Sequence, residues 1–524
     1  MPSKEELIER YKRLNIEKIL KCIEYIEDED VKMEKKIEIF KVAIILNKLS
    51  FVKELLNEGI DANEKFSEGG LPLGLACYIG NIEIVKFLLE KVNDINEVDN
   101  EQRTALHWAC VEGNRQVVEI LLQKGIDVNK KDRKCNTAIK IAVINNDEGL
   151  TKLLLDNGAK VNLVYPNGGT TLHIACARGN LELINMLYQK GADINAKTKS
   201  GLSPLHVASS KGYIKVVKEL IKRGADVNST AENGETPLLI ASRLSNFDTV
   251  EILLKNEAYI NVKSRDNISA LHWACTKTDM KMIKLLVNKG INKDIQSNIL
   301  GDTALHILCR KGYEEGISFL VEKGANVDIR NSGGKIPIDI LYEENLSDIA
   351  CIVAPKSNAM SPRIINWAID EENLELLKIM ISKENLLELV LGKLVARKKK
   401  HTLRVILKEL LIRDVNVSIR KRIEGPNLSR ENSASLLGIA VANNSIEISD
   451  MLMEYNFKKN IDRARRLSDV LHNEDANELL KEPLNMARNI IKKRKEQKEK
   501  YFMLELKIKN EEAYNKYKSE CQLP

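Results

Sequence analysis

Aromatic residues are scarce in this 524-residue chain, at 5% of the total, and only 3 of them are Trp. With 44% hydrophobic residues overall, the core has to come from Leu, Ile, Val and Ala packed between thin helices. No apolar run approaches the roughly 18 residues that a membrane-spanning helix needs, so no span is expected. The opening stretch MPSKEELIERYKRL reads as a charged amphipathic helix and has no apolar leader region, which argues against a secretory signal. Nine cysteines are present without a single CxxC pair, so neither a zinc site nor a disulfide framework is expected. Phosphate-cradling GxxxxGK[ST] loops are missing too, as are kinase, protease and nucleotidyl-transfer signatures. Charge of one sign is also in short supply. The net +6 arises almost wholly beyond Pro483, where 11 Lys and Arg face 6 acidic residues.

What the chain does have is a beat. A short motif starts at Leu71, Thr104, Thr137, Thr170, Ser203, Thr236, Ser269, Thr303 and Ile336, with every step 33 residues except one of 34. Its best copies run Thr170-Thr171-Leu172-His173-Ile174-Ala175 and Ser203-Pro204-Leu205-His206-Val207-Ala208. The Thr or Ser hydroxyl can cap a helix, and Pro204 and Pro237 stand at the first helical position, where proline is favoured. Gly179 supplies a left-handed stop, after which Leu181, Ile184 and Leu187 form the apolar stripe of a second helix. Gly191 ends that helix, and a polar turn at 198–201 leads to the next copy. A unit with one apolar face toward each neighbour is stable only as part of a stack.

A 33-residue unit carrying T-P-L-H-x-A resembles the ankyrin repeat. The resemblance implies an all-α solenoid of helix-turn-helix units with β-turn or hairpin tips. Counting a degenerate copy at 40–63, ten repeats would fill about 38–344. The organisation expected is a capping helix within 1–34 (about 5–26), repeats over 35–344, divergent helical repeats over 345–460 and a charged helical tail over 461–524, with coiled-coil character. Pro355 and Pro362 mark the point where the period degrades. Residues 373–377, 391–411 and 435–455 look like eroded helical pairs, 424–434 like a loop. The extra residue between Asp294 and Thr303 predicts a local distortion of the stack.

The beat also absorbs residues that could be mistaken for chemistry. Cys77, Cys110, Cys176, Cys275 and Cys309 share one inward slot, where a reduced thiol acts as a small hydrophobe. His107, His173, His206, His272 and His306 share the motif slot, and the resemblance gives their imidazoles a hydrogen bond to the neighbouring turn. Only His401 and His472 remain, too few for a metal site or a His-dependent nucleophile. No catalytic residue, cofactor, metal or small-molecule substrate is expected. Lys140, Leu239 and Asp339 replace the histidine in their copies.

In ankyrin proteins partners bind along the concave face, to which the two positions before the mid-repeat glycine slot belong. Here those pairs are Val111-Glu112, Ile144-Asn145, Ala177-Arg178, Ser210-Lys211, Arg243-Leu244, Thr276-Lys277 and Arg310-Lys311. From Arg178 onward each pair holds a base and none holds an acid, so Arg178, Lys211, Arg243, Lys277, Arg310 and Lys311 form a candidate positive stripe for an acidic protein partner. Solvent-facing bases are also common at these slots without any partner. A second basic run at 490–500 is interrupted by Glu496 and Glu499 and reads as a solvated helix face, as does the shorter 397–400; nucleic-acid binding lacks its groove-reading elements. The expectation is a monomeric, cytoplasmic, non-catalytic scaffold or adaptor. Its composition resembles ankyrin proteins of intracellular bacteria and large DNA viruses, so delivery to a host cell or a nuclear location belongs to the same expectation. The alternatives are an effector whose 355–524 region carries an enzymatic or recruiting activity, and a purely structural spacer.

Overall fold

A computed structural model of the chain describes residues 3–412 together with 448, 451, 452 and 455. The expected loop at 424–434, the charged tail and the basic run at 490–500 lie outside the described residues, as does all but four positions of the pair at 435–455. The described residues form 26 helices and no strand. They divide into two compact units, Met1–Ile340 and Leu341–Pro524.

In the first unit each motif copy from Leu71 to Thr303 opens an inner helix and the outer helix follows it. The repeat at Thr170 places its inner helix at Thr171–Arg178 and its outer helix at Leu181–Gln189, with Gly179 between them at φ +76°. Leu172, Ala175, Cys176, Leu183, Ile184 and Leu187 are all fully buried, so the apolar stripes read from the sequence are the stacking surfaces. Each such Leu or Ile contributes about 1.5–3 kcal/mol when removed from water.

The tips are turns rather than strands. In the tip of the Thr104 repeat Asp99 N–H donates to Arg103 O at 3.0 Å, and in that of the Ser203 repeat Thr198 N–H donates to Leu202 O at 2.9 Å. Successive tips are linked by a single backbone bond, as in Asn100 N–H to Gly69 O, Arg133 N–H to Glu101 O and Lys199 N–H to Asn167 O. One bond per tip cannot build a ladder, which is why hairpin tips do not register as strands. The same slot in the tip before Thr170 is Pro166, which has no N–H to give.

The extra residue between Asp294 and Thr303 stays within its tip. Ser297 N–H closes onto Asp302 O at 3.0 Å, one residue wider than elsewhere, while Asn298 N–H to Asp266 O and Ser332 N–H to Leu300 O keep the inter-tip links. The expected distortion is therefore a bulge that leaves Ile299 and Leu300 exposed, and the stacking bonds continue through it.

At the N-terminus the single helix expected over 5–26 is two helices, Lys4–Tyr11 and Ile16–Ile23. They are separated because Asn15 takes an extended conformation and caps the second through its side chain. The long helix Glu29–Ile45 then crosses the 34/35 boundary and pairs with Leu49–Asn57.

In the second unit Pro362–Asp370 pairs with Leu374–Ile381, and Glu384–Ala396 with Lys400–Ile412. The left-handed residues between paired helices here are Asn345, Glu372 and Lys398, spaced by 27 and then 26 residues. The pitch shortens because the tip turn is dropped, while the helix-turn-helix pairing survives. Trp367 Nε1 donates to Asn345 Oδ1 at 3.2 Å, Lys399 pairs with Glu372 at 2.8 Å, and Arg397 pairs with Asp370, tying one pair to the next.

Candidate partner-binding face

The five motif histidines are structural by geometry. The backbone N–H of Thr104 donates to His107 Nδ1 at 3.1 Å, which makes Nδ1 the acceptor and puts the ring proton on Nε2. Nε2 then donates to Asn136 O, in the next tip, at 3.0 Å. His173, His206, His272 and His306 repeat both contacts with their own Thr or Ser and with Leu202, Glu235, Asp302 and Lys335. Burial lowers the affinity of all five for a second proton, and His206 is brought down to about 4. Each neutral imidazole thus bridges two repeats. The five slot cysteines are fully buried thiols, and burial pushes their ionisation up, far from a reactive thiolate. Among the described residues no group of three or more His, Cys, Asp or Glu converges to hold a metal ion, and no helix is long and apolar enough to cross a membrane.

The candidate bases occupy the ends of the inner helices. Arg178, Lys211, Arg310 and Lys311 lie in the last turns of Thr171–Arg178, Pro204–Lys211 and Ala304–Lys311, and Lys277 is the C-cap of Ala270–Thr276. A cation there also complements the helix macrodipole, worth about 0.3–1 kcal/mol. The six do not form one uniform stripe. Arg243 Nε donates to Glu235 Oε1 at 2.9 Å, and Arg310 Nη2 to Asp302 Oδ2 at 2.9 Å. Glu235 and Asp302 are buried tip residues immediately before the capping Thr, so both guanidinium groups are neutralised within their own repeats. Arg178, Lys211, Lys277 and Lys311 are exposed, and their charged groups make no ion pair or hydrogen bond among the described residues.

Two features of this face went unforeseen. Asn145 and Asn246 turn back and donate to the last carbonyls of the preceding inner helix, Asn145 to Cys110 O and Val111 O and Asn246 to Ser209 O and Ser210 O, so they are inter-repeat caps. The helix Lys4–Tyr11 covers a cavity of about 220 Å³ between the first tips and inner helices, lined by Leu7, Arg10, Phe66, Tyr78, Arg103 and Trp108 among others. That is below the roughly 300–1,000 Å³ of small-molecule pockets. Its charges are mostly spent internally, Lys41 on Glu68 at 2.6 Å and Arg103 on Asp99 at 3.0 Å. Periodicity gave no hint of it, because the helix that covers it precedes the first motif.

A family model for ankyrin repeats matches residues 40–132, 139–231, 197–266 and 238–331, together more than half of the chain. The chain belongs to the ankyrin-repeat family. Ankyrin repeats are protein-protein interaction modules, and the family is typically non-catalytic. No curated protein matches the chain. In these ankyrin repeats the free bases sit on the inner-helix ends.

Proposed function

We propose that the protein is a non-catalytic adaptor that binds a protein partner with an acidic surface along its inner-helix ends and tips, in a reducing, cytoplasmic setting. The observation that carries this reading is the set Arg178, Lys211, Lys277 and Lys311, exposed and with their charged groups unpaired among the described residues, on a face otherwise made rigid by histidine and asparagine bridges. A preformed face needs little ordering on binding, which lowers the entropic cost of association. Unpaired bases along it raise the encounter rate with acidic surfaces and make binding salt-sensitive. The test is quantitative affinity capture from the native cell with the full chain and with the Arg178→Glu, Lys211→Glu, Lys277→Glu triple variant. The proteins captured by the full chain should be lost from the variant at unchanged helical content, and undiminished capture overturns the proposal.

A further inference from the structure

The inner-helix ends change character along the stack. At the Thr104 and Thr137 repeats the first residue of the pair is apolar and exposed, Val111 at 42% and Ile144 at 37%, and the second is the exposed acid Glu112 or Asn145. From the Thr170 repeat onward the second residue is a free base, Arg178 and then Lys211. This series is interrupted at the Thr236 repeat, where Glu235 takes up Arg243 and the neighbouring Leu244 stands 45% exposed. Lys277 and Lys311 resume the basic run. In order, the second residue of each pair is Glu112, Asn145, Arg178, Lys211, Leu244, Lys277 and Lys311, and the exposed apolar Val111 and Ile144 stand one position earlier in the first two pairs.

Resting on the proposed acidic partner, we infer that what lies along this face is an extended peptide segment with two apolar side chains at one end and acidic side chains along the rest. Packed inner helices stand about 8–10 Å apart. A polyproline-II backbone repeats its facing every three residues and rises about 3.1 Å per residue, so it returns a side chain to the same face about every 9 Å, in step with the repeats. The apolar end seats on Val111 and Ile144, where Glu112 repels a carboxylate. Acidic residues three apart then face Arg178 and Lys211, an apolar residue meets Leu244, and further acids meet Lys277 and Lys311. The neutralised Arg243 fixes the register, because an acid placed at that repeat finds its cation already held by Glu235.

The experiment is selection from a displayed library of random peptides of about 16 residues, long enough at about 3.1 Å each to cross five repeats. The full chain, a Val111→Glu/Ile144→Glu variant and a Lys211→Glu/Lys277→Glu variant serve as baits. Peptides enriched on the full chain should carry acidic residues at three-residue intervals flanked at one end by an apolar pair. They should bind the first variant about tenfold more weakly, or about 1.4 kcal/mol, and the second variant more weakly still. Acidic peptides lacking the apolar pair, or indifferent to Val111→Glu/Ile144→Glu, overturn this inference and leave the acidic-partner proposal standing. Enriched peptides with no acidic preference overturn both, and acids at helical spacing overturn the extended conformation. Circular dichroism of each bait confirms that the substitutions, all at exposed positions, leave the fold intact.

Discussion

The hexapeptide Ala-Leu-His-Trp-Ala-Cys occurs twice, at 105–110 and at 270–275, in the same slot of two repeats. Its backbone and histidine behave alike in both: His107 and His272 each take a backbone N–H on Nδ1 and bridge to the next tip through Nε2. The tryptophans part company. Trp108 is buried, donates to Asp99 Oδ2 at 3.2 Å, lies under Arg103 at 4.2 Å and meets Tyr78 edge-on at 5.4 Å. Trp273 is half-buried, its Nε1 is shielded yet has no partner, and its nearest cation is Arg243 at 6.0 Å, already held by Glu235. The cause lies in residues at matching phases. Asp99 and Arg103 of the first tip correspond to Ser264 and Ile268 of the second. In the preceding repeats Gly74 and Tyr78 correspond to Leu239 and Arg243. A Cβ on Gly74 would stand 3.0 Å from Trp108 Cδ1, so the missing side chain is what lets that indole tuck in, whereas Leu239 is itself fully buried and fills the same space. Identical motifs therefore set the stack, and the neighbours chosen one repeat upstream set what each motif residue does.

The largest effect should come from dismantling the Trp108 side of the pair. Asp99 is buried and accepts from the N–H groups of Glu101 and Arg103, from Arg103 Nε and from Trp108 Nε1. Asp99→Ala orphans four donors at once and should cost roughly 3–4 kcal/mol. Ser264→Ala removes only the 3.2 Å bond from Ile268 N–H and should cost about 0.5–1.5 kcal/mol. Gly74→Leu, which recreates the crowding of the second repeat, should cost about 1–3 kcal/mol by overpacking and move Trp108 emission to the red. Urea unfolding followed by tryptophan fluorescence reads both quantities. Equal losses for Asp99→Ala and Ser264→Ala would erase the distinction drawn between the repeats.

Acid should act on the part that the two repeats share. The motif histidines hold folded proton affinities lowered by burial, while the unfolded chain titrates near the ordinary 6.5. Between that value and the folded one the unfolded state binds more protons, so stability falls as pH drops below about 6.5 and is intact above it. For His206, brought to about 4, the full effect is about 3 kcal/mol once pH has fallen through the folded value. His206→Leu, the residue that Leu239 already supplies in the next repeat, should flatten the stability-pH curve between 6.5 and 4. An unchanged slope in thermal melts across that range would mean that His206 protonates freely in the folded state.

Much of this architecture was legible in the sequence because it is local. The capping Thr, the inner-helix stripe and the histidine three residues on are all specified within one motif, and the structure repeats them copy after copy. What was not legible depends on partners at no regular spacing. Arg243 and Arg310 read as free bases because their acids, Glu235 and Asp302, sit eight residues upstream across a tip, outside any helical periodicity. The pairs of the second unit read as eroded because their turns carry Glu372 and Lys398 where the eye looks for glycine, and because losing the tip changes the beat itself. The break after Tyr11 was hidden by continuous amphipathic character, with Asn15 as the sole cap to announce a second helix.

The smallest expected effect tests the turn between inner and outer helices, where the two Trp repeats differ once more. Gly113 occupies the left-handed position of the first at φ +70°, and Thr278 occupies it in the second at φ +52°. An L side chain pays about 1–2 kcal/mol in that region, most for a β-branched residue, whose Cβ crowds the following carbonyl. Thr278→Gly relieves this but gives the unfolded chain more freedom, a loss of about 0.5–1 kcal/mol. Its exposed hydroxyl bond to Lys277 O, at 2.7 Å, is also given up. The net gain should be about 0.5 kcal/mol, seen as a higher urea midpoint at constant slope. Gly113→Thr is the reverse experiment and a clean one. A Cβ there would meet nothing closer than Asp147 Oδ2 at 3.5 Å, an ordinary contact, so its expected loss of about 0.5–1 kcal/mol reports backbone strain less the freedom that the side chain removes from the unfolded chain. If both substitutions lower the midpoint, the threonine is held by something other than its φ angle, and the parity of the two turns fails.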